Sequence, residues 1–424
     1  MKKILIKHGE IVQPSGPKGK MDILVEGGIV ADIAPAIEGA DALEINAKGL
    51  IIVPGFVDMH VHLREPGQEY KEDIASGTLA ALHGGYTTIA CMPNTDPVND
   101  DMTVTSFILK RAEQANNCRV LPIAAITKGL KGEELTEMGM LLKEGVVAFS
   151  DDGKPVSNAE KMRLALQYAK NFNALLMQHC EDRELAAEGV MNEGSVSVRI
   201  GLKGIPACAE SVMVARDIEL VREYDGRVHF CHISTAASVE LIRRAKAEGL
   251  AVSCETAPHY FAANEKWVEE RDYDTQTKMN PPLRSEKDVK AIIDGLVDGT
   301  IDAIATDHAP HHRDEKEVEF NMALNGIVGL ETAFSLGYTH LVKTGKMSFE
   351  RLVACMSTGP CRVLGIPGGM IDVGTSADIT MVDPNAAVTY TEQMLHSKGK
   401  NSPFLNREYD GKVVHTMVDG ELKI

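Results

Sequence analysis

Hydrophobic positions follow two different rhythms along the chain. Up to residue 53 they come in short alternating runs, ILIKHGEIV, DILVEGGIVADIAP and ALEINAKGLIIV, with the Pro/Gly-rich QPSGPKGK between the first two. Alternation broken at close intervals by Gly and Pro predicts a unit of short antiparallel strands. From about residue 367 the same rhythm returns in GTSADITMVDP and KVVHTMVDGELKI. Residues 1–53 and 367–424 are therefore expected to form one small β-rich domain built from both ends of the chain.

Over residues 54–366, short apolar runs alternate with longer stretches of helical spacing. The runs are GFVDMHVH, TTIACMPN, VLPIAAIT, GVVAFSDDG, ALLMQHCED, RVHFCHIS, LAVSCETAPHY and DAIATDHAP, eight in all. Stretches such as NAEKMRLALQYAKNF and SVELIRRAKAEG place apolar residues three and four apart with charges opposite. Eight βα units in series predict an α/β fold, a (β/α)8 TIM barrel, whose functional residues gather at the C-terminal ends of the strands. A doubly wound sheet is the alternative, but no GxGxxG follows the first strand to favour it.

Composition narrows the function classes. The 424 residues are 44% hydrophobic and 25% charged, the balance of a globular protein with a sizeable core. A formal charge of −17 argues against a nucleic-acid or anionic-membrane surface, while leaving room for a local cationic pocket. Eight scattered cysteines form no CxxC pattern or disulfide framework, which fits reduced thiols in a cytosol. The opening MKKILIKHGE has too short an apolar run for a signal peptide, and no segment approaches the ~18 apolar residues of a membrane span. A cytoplasmic protein is expected.

The strand ends carry the unusual residues: His60 and His62 on the first run, Asp151 and Asp152 on the fourth, His179 on the fifth, His232 on the sixth and Asp307 on the eighth. Side chains alternate along a strand, so His60, His62 and Arg64 share a face if the strand continues through them. Two imidazoles and a guanidinium on one face repel once protonated, and a metal ion holds such histidines neutral. Taken singly, each motif has a plain reading: HxH as two hydrogen-bonded or exposed histidines, SDDG as a turn, TDHAP as a helix cap. Their coincidence at five strand ends around one axis favours a metal centre. Four imidazoles with carboxylates suit zinc, Zn2+, with enough donors for one or two ions and two favoured.

The series DMHVHLREPG, MPNT, DDG, HCED, CHIS, PHY, MNPPLR, TDHAPH and GIVGLE runs in order across nearly the whole chain. It resembles the signature of the cyclic amidohydrolases and, in this combination, of the bacterial class I dihydroorotases. The resemblance implies reversible cyclisation of N-carbamoyl-L-aspartate to L-dihydroorotate in pyrimidine biosynthesis. It implies His60 and His62 on one metal, His179 and His232 on the other, Asp152 as the bridge, and Asp307 as both ligand and general base. Asp151 is the alternative bridge. Related hydantoinases and allantoinases bridge with a carboxylated lysine, but GVVAFSDDG holds none and Lys154 lies just beyond Gly153.

On the substrate side the resemblance implies contacts from His62, Arg64, Asn94, Asn280 and His311, with the backbone of Asn325 and Gly326 completing the pocket. His312 competes with His311, and Asn325 stands where the family commonly has an apolar residue. The charged span 311–325 is read as either a segment that closes over the ligand or a solvated insertion, and His259 as structural. Two divalent ions, Asp152, Asp307 and one hydroxide leave about one positive charge, to which Arg64 adds another, so an anionic substrate is expected. The plain alternative for Arg64 is a surface pair with Glu65. Besides a dihydroorotase, two readings stand: a hydantoinase- or allantoinase-type enzyme, and a non-catalytic scaffold for aspartate transcarbamoylase. A homodimer is implied by the resemblance, and transcarbamoylase association alongside catalysis stays open.

Overall fold

The eight apolar runs become eight strands, each paired with its neighbour in sequence. The computed structural model describes residues 3–38 and 41–424; residues 1–2 and 39–40, inside the stretch assigned to the small β domain, lie outside the described residues. Strands Phe56–Val61, Tyr86–Cys91, Arg119–Ala124, Ala148–Ser150, Leu175–Gln178, Arg227–Phe230, Val252–Thr256 and Ala303–Ile304 form one parallel sheet in chain order. Parallel neighbours need long crossovers. Helices supply them, among them Ile74–His83, Met102–Ala115, Ala159–Lys170, Cys208–Tyr224, Ala236–Ala247 and Glu286–Asp298.

Local signals fix where these helices begin. The side chains of Asp73, Asp101, Asn158, Thr235 and Ser285 each accept a backbone N–H of the first turn, worth about 1 kcal/mol apiece. The helix Glu286–Asp298 buries Ile292, Ile293 and Leu296, contributing about 1.5–3 kcal/mol per side chain, and stops at Gly299 in the left-handed region.

Closure of the ring between first and eighth strands uses a buried side chain beside the backbone. Asp58 accepts the Thr306 N–H with both carboxylate oxygens at 3.2 Å, and the His62 N–H donates to the His308 carbonyl at 2.8 Å. Burial pushes the Asp58 carboxyl up to about 7, against the hydrogen bonds it accepts. The seam therefore joins the two strands that carry His60, His62 and Asp307.

The chain ends meet in a β-rich portion. Its six-stranded sheet runs Glu421–Leu422, Glu408–Val418, Ile379–Thr389, Ile51–Pro54, Glu10–Ile11 and Gly19–Lys20, and a four-stranded sheet adds Ile29–Ala34, Asp22–Glu26, Ile4–Lys7 and Leu43–Asn46. Ile6, Ile23, Ile52, Ile379 and Met417 share one buried cluster, so neither flank holds its core alone. Two pairings depart from the expected antiparallel arrangement: Ile4–Lys7 with Leu43–Asn46, and Glu10–Ile11 with Ile51–Pro54, are parallel. The intervening chain is long enough to bring the later strand back in the same direction. Among the described residues, no helix is long and apolar enough to cross a membrane.

Candidate metal centre and substrate pocket

Five strand ends deliver six donor side chains to one buried point. His60 is the last residue but one of the first strand and His62 follows its end; Asp152, His179, His232 and Asp307 lie within three residues of their own strand ends. Asp152 Oδ1 lies 3.4 Å from His60 Nε2, 3.4 Å from His232 Nε2 and 3.6 Å from His179 Nδ1, while Oδ2 lies 3.4 Å from His62 Nε2. Asp307 Oδ1 lies 3.2 Å from His62 Nε2 and 3.6 Å from His60 Nε2. Asp152 thus faces all four imidazoles, and Asp307 faces two.

The chemistry of this set fits divalent ions. Most of the spacings exceed ordinary hydrogen bonds and approach the edge, about 3.3 Å, of a tetrahedron whose donors sit ~2.0–2.1 Å from a shared ion. His60 Nε2 and Asp152 Oδ1 are buried without a hydrogen-bond partner, which is costly unless something else satisfies them. Donor atoms within 4.8 Å of one another define the groups His60/His62/Asp307 and Asp152/His179/His232, with a third grouping of His60, Asp152 and Cys231.

Neighbouring polar groups aim the imidazoles. His60 Nδ1 faces Glu255 Oε1 at 2.8 Å and His62 Nδ1 faces Asn94 Oδ1 at 2.9 Å, which leaves both Nε2 atoms for the centre. Glu255 also faces His229 Nε2 at 3.3 Å; burial opposes its ionisation, but these two histidines bring its carboxyl down to about 2. Asp152 and Asp307 are likewise buried, yet their imidazole neighbours hold both carboxyls well below the usual range.

The SDDG pair divides its labour. Asp151 turns away and accepts from the Thr127 N–H at 2.9 Å and from the Thr127 hydroxyl, so Asp152 alone of the two reaches the imidazoles. Lys154 is exposed and does not approach them.

Arg64 reaches the site by a different route from the one the alternation suggests. The strand stops at Val61, and Arg64 sits at φ 61 in a tight turn in which the Glu65 N–H donates to the Leu63 carbonyl at 2.7 Å. A strand cannot pass through a left-handed residue, so the shared face ends at His62. The guanidinium is nonetheless buried and donates from Nε to the Pro310 carbonyl at 3.2 Å; burial lowers the pKa of both His62 and His311, and the nearby Arg64 charge adds to it. Its neighbour Glu65 is committed to Arg111 Nε at 2.6 Å and to the Ile74 N–H at 2.9 Å, which removes the surface-pair reading. His232 and Asp307 also have positive φ, 35° and 48°. Strained backbone collects at this site.

The remaining residues read from the sequence form a further wall. His311 is buried and pairs its Nε2 with the Asn325 carbonyl at 2.7 Å; burial and the charges of Arg64 and Lys71 push its pKa down to about 3. The exposed His312 caps a short helix, Arg313–Lys316, instead. Asn280 Oδ1 is buried without a partner, and the Gly326 N–H donates to the Lys278 carbonyl at 3.0 Å. Four residues escaped the sequence reading: Asp58, Cys231, Glu255 and Lys316. Glu255 had the clearest signal, a carboxylate inside the seventh apolar run. His259 is no donor to the groups above, but it is fully buried, its Nε2 has no partner, and burial lowers its pKa to about 4 near Asp307 and His232.

A parallel barrel with a metal-donor cluster at its strand ends is the framework of a large hydrolase class, and comparison with known proteins gives the assignment. Residues 51–423 match the model of the Amidohydrolase family, and the chain belongs to that family. Within it, the chain is 50% identical over 421 residues to a dihydroorotase of Syntrophotalea carbinolica, covering 99% of this chain and 98% of the relative. A dihydroorotase of Geobacter metallireducens is 52% identical, with 99% of each chain covered. Among solved structures, the L-hydantoinase from Arthrobacter aurescens superposes with a TM-score of 0.89 at 26% identity, covering 100% of this chain and 96% of that one. The dihydropyrimidinase of Brevibacillus agri, at 23% identity and TM-score 0.85, covers 99% and 94% and shares the fold.

Proposed function

We propose that the protein catalyses the reversible cyclisation of N-carbamoyl-L-aspartate to L-dihydroorotate in cytoplasmic pyrimidine biosynthesis, with residues 54–366 as the catalytic unit. Identity of 50% and 52% to the two dihydroorotases over nearly full length supports the reaction. The observation that carries the substrate is Arg64, a buried guanidinium with no ion pair to any described carboxylate. Such a charge calls for an anionic partner, and its planar fork suits a carboxylate. Hydantoin and dihydropyrimidine rings lack that group, which sets the hydantoinase reading aside.

His60, His62 and Asp307 would hold one ion and His179 and His232 a second, with Asp152 between them; the His-rich set favours zinc. Bound there, the ions supply a nucleophile from water at neutral pH and polarise the amide carbonyl. Asp307, anionic and buried, takes the proton released on attack and passes it to the departing ring nitrogen. Arg64 orients the ring through its carboxylate, Asn94, Asn280 and His311 add polar contacts, and the backbone at Asn325 and Gly326 forms the wall. Positioning of this kind removes entropy from the reaction coordinate.

The test is dihydroorotate ring opening, followed spectrophotometrically on protein whose metal content is measured in the same sample. Turnover with one or two zinc ions per chain, lost on chelation and restored by zinc, is expected. No turnover at full metal loading would overturn the assignment and direct the assay to hydantoin, dihydrouracil and allantoin. An intact donor set speaks against a purely scaffolding role. A homodimer, and association with aspartate transcarbamoylase alongside catalysis, are read by sizing and co-purification.

A further inference from the structure

Lys316 is the most deeply buried cation of the span 311–325, with 1% of its surface exposed. Its ammonium donates to three backbone carbonyls: Leu324 at 2.9 Å, Gly326 at 3.2 Å and Lys278 at 3.2 Å. Three acceptors require three N–H donors, which an ammonium has and a neutral amine lacks. The acceptors are not scattered. Leu324 and Gly326 flank Asn325, whose carbonyl pairs with His311 Nε2, and Lys278 lies two residues before Asn280.

Two of these carbonyls are held from a second side. Asn401 Nδ2 donates to the Gly326 and Ala309 carbonyls at 3.0 Å each, while its Oδ1 accepts the His311 N–H at 2.9 Å. The Gly326 N–H returns to the Lys278 carbonyl. One ammonium therefore joins the segments bearing Asn280, His311 and Asn325–Gly326, three parts of the pocket wall that are separated in sequence. An apolar side chain at 316 would remove one donor from each of the three carbonyls and leave Asn401 alone to hold the Gly326 carbonyl beside Asn325.

We infer that Lys316 is a positioning residue for the carboxylate-binding side of the pocket, acting through the Asn325 carbonyl on His311 rather than touching substrate. This rests on the dihydroorotase reading. Burial and the neighbouring Lys278 push the Lys316 pKa down to about 7, with Asp274 opposing. The span 311–325 is accordingly a braced wall of the pocket, tied down from inside.

The test compares wild type and Lys316→Met on dihydroorotate, with zinc content measured in both. Turnover by the wild type must come first; its failure would sink the dihydroorotase reading itself. Given turnover, KM for Lys316→Met should rise tenfold or more while kcat changes less than threefold and zinc content is unchanged. An unchanged KM in the folded variant, or equal losses in kcat and zinc, would overturn the positioning role alone. Should Lys316→Met not fold, acetic anhydride labelling of the wild type replaces it. Lys316 lines a cavity of about 280 Å3 with Lys71 and Lys400, and with 1% of its surface exposed its labelling reports how often this wall opens. Saturating dihydroorotate should slow labelling of Lys316 severalfold relative to the exposed Lys143, and equal rates would overturn the inference.

Discussion

Glu255 Oε1 and His60 Nδ1 are 2.8 Å apart with both side chains buried, and this contact aims His60 Nε2 at Asp152. The carboxylate fixes the tautomer of the imidazole and raises its basicity as a donor. Glu255→Gln keeps the shape and loses the charge shared with His229. Zinc affinity, measured by competition with a chelator, should fall about 10- to 100-fold with secondary structure unchanged. Wild-type affinity in the variant would show that His60 is held by packing alone.

Arg64 offers a cleaner separation of binding from metal. Hydrogen bonds to a charged group contribute about 1.5–3 kcal/mol, so Arg64→Met should raise KM for dihydroorotate about ten- to a hundredfold. Zinc content should stay at the wild-type value. Unchanged kinetics would remove Arg64 from the pocket.

Asp307 is expected to move protons. Asp307→Asn, assayed at saturating zinc, should lower kcat by about 10²- to 10⁴-fold, the usual contribution of a positioned acid–base group. Loss below tenfold would assign the proton transfer elsewhere.

Metal removal should also loosen the barrel top. Ions that bind the folded chain and not the unfolded one add RT ln(1 + [L]/Kd), about 2.7 kcal/mol at a free concentration 100 times Kd. The chelated protein should melt at lower temperature, and zinc should restore the transition. Identical melting with and without metal would mean that the donor cluster is not loaded.

One acid-sensitive contact lies away from the centre. His83 and His396 stack with ring centroids 3.5 Å apart, and burial together with the His396 charge pushes the His83 pKa down to about 4. An unfolded histidine titrates near ~6.5. As pH falls from about 6.5 to 4 the unfolded chain takes the proton first, so this contribution weakens stability across that window and is absent above it. Urea midpoints for His83→Phe should decline less steeply there than those of the wild type. Parallel curves would exclude the stack.

How much the sequence by itself determined follows from the range of each signal. Apolar runs and helical spacing report on neighbours a few residues away, and they located all eight barrel strands; matching runs at both ends located the β-rich portion. Histidines and aspartates at strand ends marked the candidate donors because a parallel barrel turns strand ends into one surface. Other features were set by groups distant in sequence. Asp152 rather than Asp151 faces the imidazoles because Thr127, in the loop after the third barrel strand, captures Asp151. Arg64 enters the pocket through a left-handed turn, and Glu65 is withdrawn from it by Arg111. Glu255 orients His60 across 195 positions, and Lys316 acquires its role only from the carbonyls folded around it. A period along the chain encodes which face a residue takes; which partner it meets across the barrel is decided by closure, and that exists only in three dimensions.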